Sequence, residues 1–179
     1  MTASGKVAAA TERLRCVLAS SGLCGALEWP NARTAYRYTG VYQLENDAMR
    51  MVAVFDRNSE DVKALTVIPF GDSFCQFVMR DGVFNTTHAA EDSRLIGHAY
   101  RDIVASYFGL PLASGPGDFY GTLCHFDVVP NDVDDAEFES PRVQFPAARG
   151  DASGLASAVR NTPRLGAGKF IFSTASRRC

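Results

Sequence analysis

Two cysteines, Cys75 and Cys124, stand inside apolar stretches, and the second is followed at once by His125. A thiol pair does redox chemistry when both groups are exposed and one has a lowered pKa. Free cysteine is, however, among the most buried residue types and packs as a small hydrophobe, so the packing role is the commoner one. His125, close to the acid of Asp127, suits a pH-sensitive ligand contact, although a satisfied core histidine is more usual. Asp92 and Arg94 suit either a pair closing a pocket or a surface ion pair of little energetic worth. Phe74 and Val78 add apolar surface, while Tyr36, Tyr38, Tyr42, Tyr100 and Tyr107 offer apolar bodies with polar tips. Such side chains fit a planar ligand and fit a core equally well. No pair among His88, His125, Cys75 and Cys124 has the short spacing of a zinc site. No Gly-rich phosphate loop, Gly-x-Ser-x-Gly elbow or His-Glu-x-x-His helix occurs. Neither a metal nor a cofactor is expected.

These groups are carried by recognisable elements. Val7, Ala10, Leu14, Val17, Leu18 and Ser21 recur at three- and four-residue steps, which predicts an amphipathic helix over 5–23 ended by Gly22 and Gly25. Tyr36 to Leu44 and Met49 to Phe55 read as a hairpin around the turn chemistry of Glu45-Asn46-Asp47. A short apolar helix follows at Ser73 to Met79, then an Asp81-Gly82 turn and a strand from Val83 to Thr87. Ala105 to Leu112 and Gly121 to Val129 form a second hairpin across the loop Ser114 to Asp118. Helices mixed with hairpins give an α+β domain with a mainly antiparallel sheet. In the last strand, alternation puts Thr122, Cys124 and Phe126 on one side and Leu123, His125 and Asp127 on the other. Alternation leaves open which side is the pocket.

The chain has 179 residues, with 18 basic against 20 acidic side chains and a net charge of −2. That balance gives no global basic field for nucleic acid. No run approaches the roughly 20 apolar residues of a bilayer-spanning helix, and the N-terminus has no apolar signal core, so a cytoplasmic protein without a membrane partner is expected. Five widely spaced cysteines fit free thiols better than a disulfide framework. Charge divides the chain in two. Residues 140–179 hold seven basic residues and one acidic, leaving eleven and nineteen in residues 1–139. The last forty residues, rich in Ala, Gly, Ser, Arg and Pro, read as a disordered or weakly packed appendage to a 1–139 domain.

Four segments then make a resemblance. Phe74-Cys75-Gln76-Phe77-Val78, Glu91-Asp92-Ser93-Arg94, the strand Ala105 to Leu112 and Gly121-Thr-Leu-Cys-His-Phe-Asp127 resemble, in order and spacing, the GAF domain family, over about residues 5 to 138. The likeness is closest to the GAF modules of bacterial signalling proteins. It implies a five- or six-stranded antiparallel sheet with helices on one face and a small-molecule pocket on the other. The implied function is a non-catalytic sensory or regulatory module whose unidentified ligand binds between the sheet and the loops of residues 72 to 100. Phe74, Cys75, Val78, Asp92, Arg94, Tyr107, Cys124 and His125 are the candidate ligand contacts. Two alternatives are a thiol-dependent reductase of the free methionine sulfoxide reductase type, using Cys75 and Cys124, and a ligand-free module that forms a homodimer through its N-terminal helix. The cysteine motifs of those reductases are not found, nor is the Asn-Lys-Phe-Asp-Glu signature of cyclic-nucleotide-binding GAF domains. Cys124-His125 resembles the bilin-attaching dipeptide of phytochromes, but within a different strand context. The family's long C-terminal helix begins here at Asp132 to Glu139, with Asn131 as cap, and is broken by Pro141 and Pro146.

Overall fold

The computed structural model describes residues 25–58, 66–112 and 119–131. The helix expected over 5–23, the loop over 114–118, the helix start over 132–139 and the basic stretch 140–179 lie outside the described residues. Residues 25–31 are helical (α1), so Gly25 sits within a helical segment instead of ending one. Ala26 and Leu27 are fully buried there, and that burial outweighs the roughly 1 kcal/mol that glycine costs a helix.

Among the described residues six strands make one sheet: β1 Tyr38–Glu45, β2 Ala48–Asp56, β3 Val67–Pro69, β4 Phe84–Thr86, β5 Ser106–Leu112 and β6 Gly121–Asp127. Their order is β3-β2-β1-β6-β5-β4, and every neighbouring pair is antiparallel. The first hairpin turns on Asn46 and Asp47, whose φ of 50° and 57° are both left-handed. Asn and Asp tolerate that region, and a two-residue turn of this hand matches the strand twist. Both edge strands are only three residues long, which leaves little unpaired backbone as a template for another chain.

A short helix, α2 (Cys75–Asp81), follows β3 and ends on Gly82, whose φ of 76° places the N–H on the carbonyl of Val78. Gly121 begins β6 where no side chain fits, since a Cβ there would lie 2.0 Å from the Tyr42 carbonyl oxygen.

Register sorts the side chains into rows across β1, β6 and β5. Thr39–His125–Phe108 and Val41–Leu123–Leu110 are two rows on one face. With Ala26 and Leu27 of α1, the apolar members of these rows, Val41, Phe108, Leu110 and Leu123, form a single core. Tyr38–Phe126–Tyr107 and Gly40–Cys124–Gly109 are the rows on the opposite face. A second core there joins Phe74, Cys75 and Val78 of the α2 region to Tyr107 and Cys124. The expected separation of helices and pocket therefore holds for α1, while α2 lies on the pocket side and covers part of it.

Candidate functional site

The row Gly40–Cys124–Gly109 presents one small side chain between two glycines. Its emptiness lets neighbouring tyrosines fold down across the sheet. A Cβ on Gly109 would lie 2.6 Å from the Tyr107 ring and 2.6 Å from Val78, and a Cβ on Gly40 would lie 3.3 Å from the Tyr42 ring. Tyr42 and Tyr107 thus approach Cys124 from opposite sides. Tyr38 stacks on its cross-strand partner Phe126, with centroids 4.9 Å apart and planes 14° from parallel.

Between these rings and the cover formed by Phe74, Cys75, Tyr100 and Val104 lies a cavity of about 80 Å³, with Ile103 and the half-exposed Val128 also in its wall. No charged side chain lines it among the described residues. An apolar, aromatic wall without fixed charge favours a neutral ligand, because an ion would lose its hydration without a compensating partner.

Polar atoms on the floor are few. The thiol of Cys75 lies 3.1 Å from the Thr122 hydroxyl and 3.6 Å from that of Tyr107, and the thiol of Cys124 donates to the Gly40 carbonyl at 3.6 Å. Burial pushes the Cys75 pKa up, partly offset by hydrogen bonds from Thr122 and Tyr107. Cys124 is raised well above the ordinary thiol value, by burial first and then by the neighbouring Cys75. Both sulfurs are therefore thiols at neutral pH, and the thiolate is the nucleophilic form. Burial also holds the phenols of Tyr42 and Tyr107 protonated.

The eight candidate contacts separate. Phe74, Cys75, Tyr107 and Cys124 meet in the cavity wall. Val78 is buried behind them against Gly109 and is not part of the wall. Asp92 and Arg94 lie away from it. The Asp92 carboxylate accepts from the backbone N–H of Arg94 at 2.9 Å and pairs with its guanidinium at 2.5 Å, which holds the Asp92 pKa down to about 2. Arg94 also lies 4.7 Å over the Phe84 ring, so the pair caps the turn Ser93–Leu95 and pins it to β4.

His125 faces the other way. The side-chain amide of Asn31 donates to the Thr39 hydroxyl at 2.8 Å, and that hydroxyl lies 2.7 Å from Nδ1 of His125. The imidazole stacks between Tyr36 and Phe108. Burial, aided by the charge of Arg57, lowers its pKa to about 3, so it is a neutral core residue and the ligand-contact reading is corrected. Period-two alternation had placed it opposite Cys124 without saying which side was hollow.

The tyrosines divide in the same manner: Tyr36 belongs to the α1 face, whereas Tyr38, Tyr42 and Tyr100 join Tyr107 around the cavity. Tyr38 and Tyr42 carried a sequence signal, since each is two residues from Gly40, as Tyr107 is from Gly109. Ile68 comes from the three-residue edge strand β3, and Ser73, Ile103 and Val104 come from connecting segments, which show no period. Among the described residues, no group of three His, Cys, Asp or Glu is placed to hold a metal, and no helix is long and apolar enough to cross a membrane.

No protein-family model and no curated protein matches the sequence. Solved structures do. The GAF domain of a phosphoenolpyruvate-protein phosphotransferase from Acinetobacter is similar at 20% identity over 88% of this chain and 96% of that one, with a TM-score of 0.62. The phycocyanobilin-bound GAF domain of a cyanobacterial phytochrome is similar at 15% identity, covering 88% and 94%, with a TM-score of 0.60. A type II free methionine-R-sulfoxide reductase from Thermoplasma acidophilum is similar at 16% identity, covering 83% and 96%, with a TM-score of 0.57. One scaffold here serves proteins of different activity. The strand order, the antiparallel ladders and these three likenesses together give the chain a GAF-like α+β fold.

Proposed function

We propose that this domain is a non-catalytic, small-molecule-sensing module of signal transduction whose ligand occupies the cavity over Cys124. The observation that carries the reading is a preformed cavity walled by aromatic rings, without a charged side chain among the described residues and with both thiols buried and protonated. A similar fold holding a phycocyanobilin in a phytochrome supports it. A reductase acting on a free amino acid needs a reactive thiolate and partners for two charged groups, and among the described residues this cavity offers neither. Signalling follows if the ligand binds one arrangement of the covering segment 98–104 and α2 more tightly than another, because only a difference in affinity shifts a population.

Native mass spectrometry of the purified protein, compared with its denatured mass, tests the reading. The expected result is an added small-molecule mass on the folded chain, or stabilisation by neutral compounds from a fragment panel. Reduction of methionine sulfoxide that is lost in Cys75→Ser or Cys124→Ser would overturn it.

A further inference from the structure

His98 opens the segment that carries Tyr100, Ile103 and Val104 into the cavity wall. It directly follows Gly97, whose φ of 78° is left-handed, a conformation that glycine adopts without strain. The imidazole lies against α2 and the residue before it, with its centroid 4.6 Å from that of Phe74 and 5.7 Å from that of Phe77. The backbone N–H of Tyr100 donates to its Nδ1 at 3.3 Å. That nitrogen therefore keeps its lone pair, and the ring is neutral with its proton on Nε2. One side chain thus holds two wall residues together, Phe74 through its ring and Tyr100 through its amide.

Acid reverses this arrangement. In the imidazolium both nitrogens are donors, so an Nδ1–H would confront the Tyr100 N–H and that bond is lost. A charged ring against two phenylalanines also gives up hydration without full replacement. The titratable groups facing the ring are Asp72, on the turn before α2, and Tyr100 of its own segment. From α2 it meets the uncharged Phe77, over whose ring Arg80 lies. Burial lowers the His98 pKa, against the Ser73 backbone and Asp72, which favour the charged form.

We infer that His98 is a proton-operated latch on the cavity: neutral, it holds segment 98–104 against Phe74 and Phe77, and protonated, it lets that segment swing out about Gly97. The part this latch plays in releasing a ligand rests on the sensory reading above and adds pH as a second input to it. With the latch closed the ring has the depressed value, and with it open the hydrated ring returns to about 6.5. Closure is therefore complete above about pH 6.5 and weakens as pH falls, by at most about tenfold per unit.

Amide exchange of Tyr100 and Val104 in the full chain, corrected for the intrinsic rate at each pH, reads the cover directly. The first amide is bonded to His98 and the second to the Tyr100 carbonyl. Their protection is expected to fall below about pH 6.5, by up to about tenfold per unit, and to stay flat in His98→Asn, whose amide oxygen accepts a hydrogen bond without titrating. Any loss caused by His125 is common to both proteins, so the difference between them belongs to His98. Protection that ignores pH in the wild type, or an equal fall in His98→Asn, overturns the latch and leaves the sensory reading intact. His98→Phe keeps a ring against Phe74 and Phe77 with no nitrogen to titrate, and supplies the same comparison if the asparagine variant fails to fold. Opening with acid in a chain that carries no small molecule in its native mass, and that no fragment stabilises, supports the latch and overturns the sensory reading instead.

Discussion

The two faces of the central strands are built from alternate residues of the same sequence, and they are spent differently. On the α1 face, Val41, Leu123 and Leu110 line up against Leu27, and the polar members of the layer, Asn31, Thr39 and His125, are joined to one another. On the opposite face the corresponding row is Gly40, Cys124 and Gly109, which leaves a hollow with tyrosines laid over its ends. Close packing secures the fold; a layer of small residues beside large rings leaves room for something else. A single residue of displacement along β6, from Leu123 to Cys124, passes from one regime to the other.

This contrast can be broken at adjacent positions. Leu123→Ala should cost about 2–5 kcal/mol, whereas Cys124→Ala, beside existing space, should cost about 1 kcal/mol or less; urea unfolding of both variants gives the two values. Similar losses would show that the faces are equally packed. Protonation separates them next. His125 titrates near 3 when folded and near 6.5 when unfolded. Its folded value is depressed, so its contribution to stability is complete above about pH 6.5 and is lost as pH falls towards 3, by at most about 1.4 kcal/mol per unit. Asp92, also depressed, adds a loss of the same sign only below the ordinary carboxylate range. Urea midpoints that stay flat from pH 6.5 to 4 would remove His125 from the core. Single hydroxyls give the finest comparison. Thr39→Val leaves Nδ1 of His125 without its partner, although the Asn31 amide keeps the carbonyls of Tyr36 and Arg37, and should cost about 1–3 kcal/mol, while Tyr42→Phe, which removes a hydroxyl at the cavity wall, should change stability by no more than about 0.5 kcal/mol. A large loss in Tyr42→Phe would mean that the hydroxyl already has a structural task.

Much of the fold was legible from local chemistry. Asn46-Asp47 announced the first turn, Gly82 the turn after α2, and the turn chemistry of residues 114–118 between two apolar runs announced the pairing of β5 with β6. The site was legible by side-chain type but not by direction. Cys75, Cys124, Phe74 and Tyr107 share one cavity wall, whereas His125 occupies the filled face and Asp92 with Arg94 holds a turn. Period two divides a strand into two sets and is blind to which set meets a solid layer, because that depends on what segments far away in sequence bring to it. The wall residues Ile103 and Val104 follow no period at all, and their place is fixed only by the tertiary fold.

The strand order has a consequence for the chain as it is made. β6 is the latest of the described strands in sequence, yet it lies between β1 and β5 in the middle of the sheet. On a nascent chain the β1–β2 hairpin can close early, since its turn is local, but β1 and β5 have nothing to join them until residues 121 to 127 have left the ribosome. Pairing Tyr38 with Phe126 closes a loop of nearly ninety residues, and such distant pairings are the slow ones. Until that moment β1 and β5 each offer a bare edge to any neighbouring chain, and the cavity has neither its floor nor its two sides in one place. Any shortening of the reading frame before residue 121 would therefore remove the keystone of the sheet rather than trim its rim, and would leave two bare strand edges on one chain in place of a smaller closed sheet.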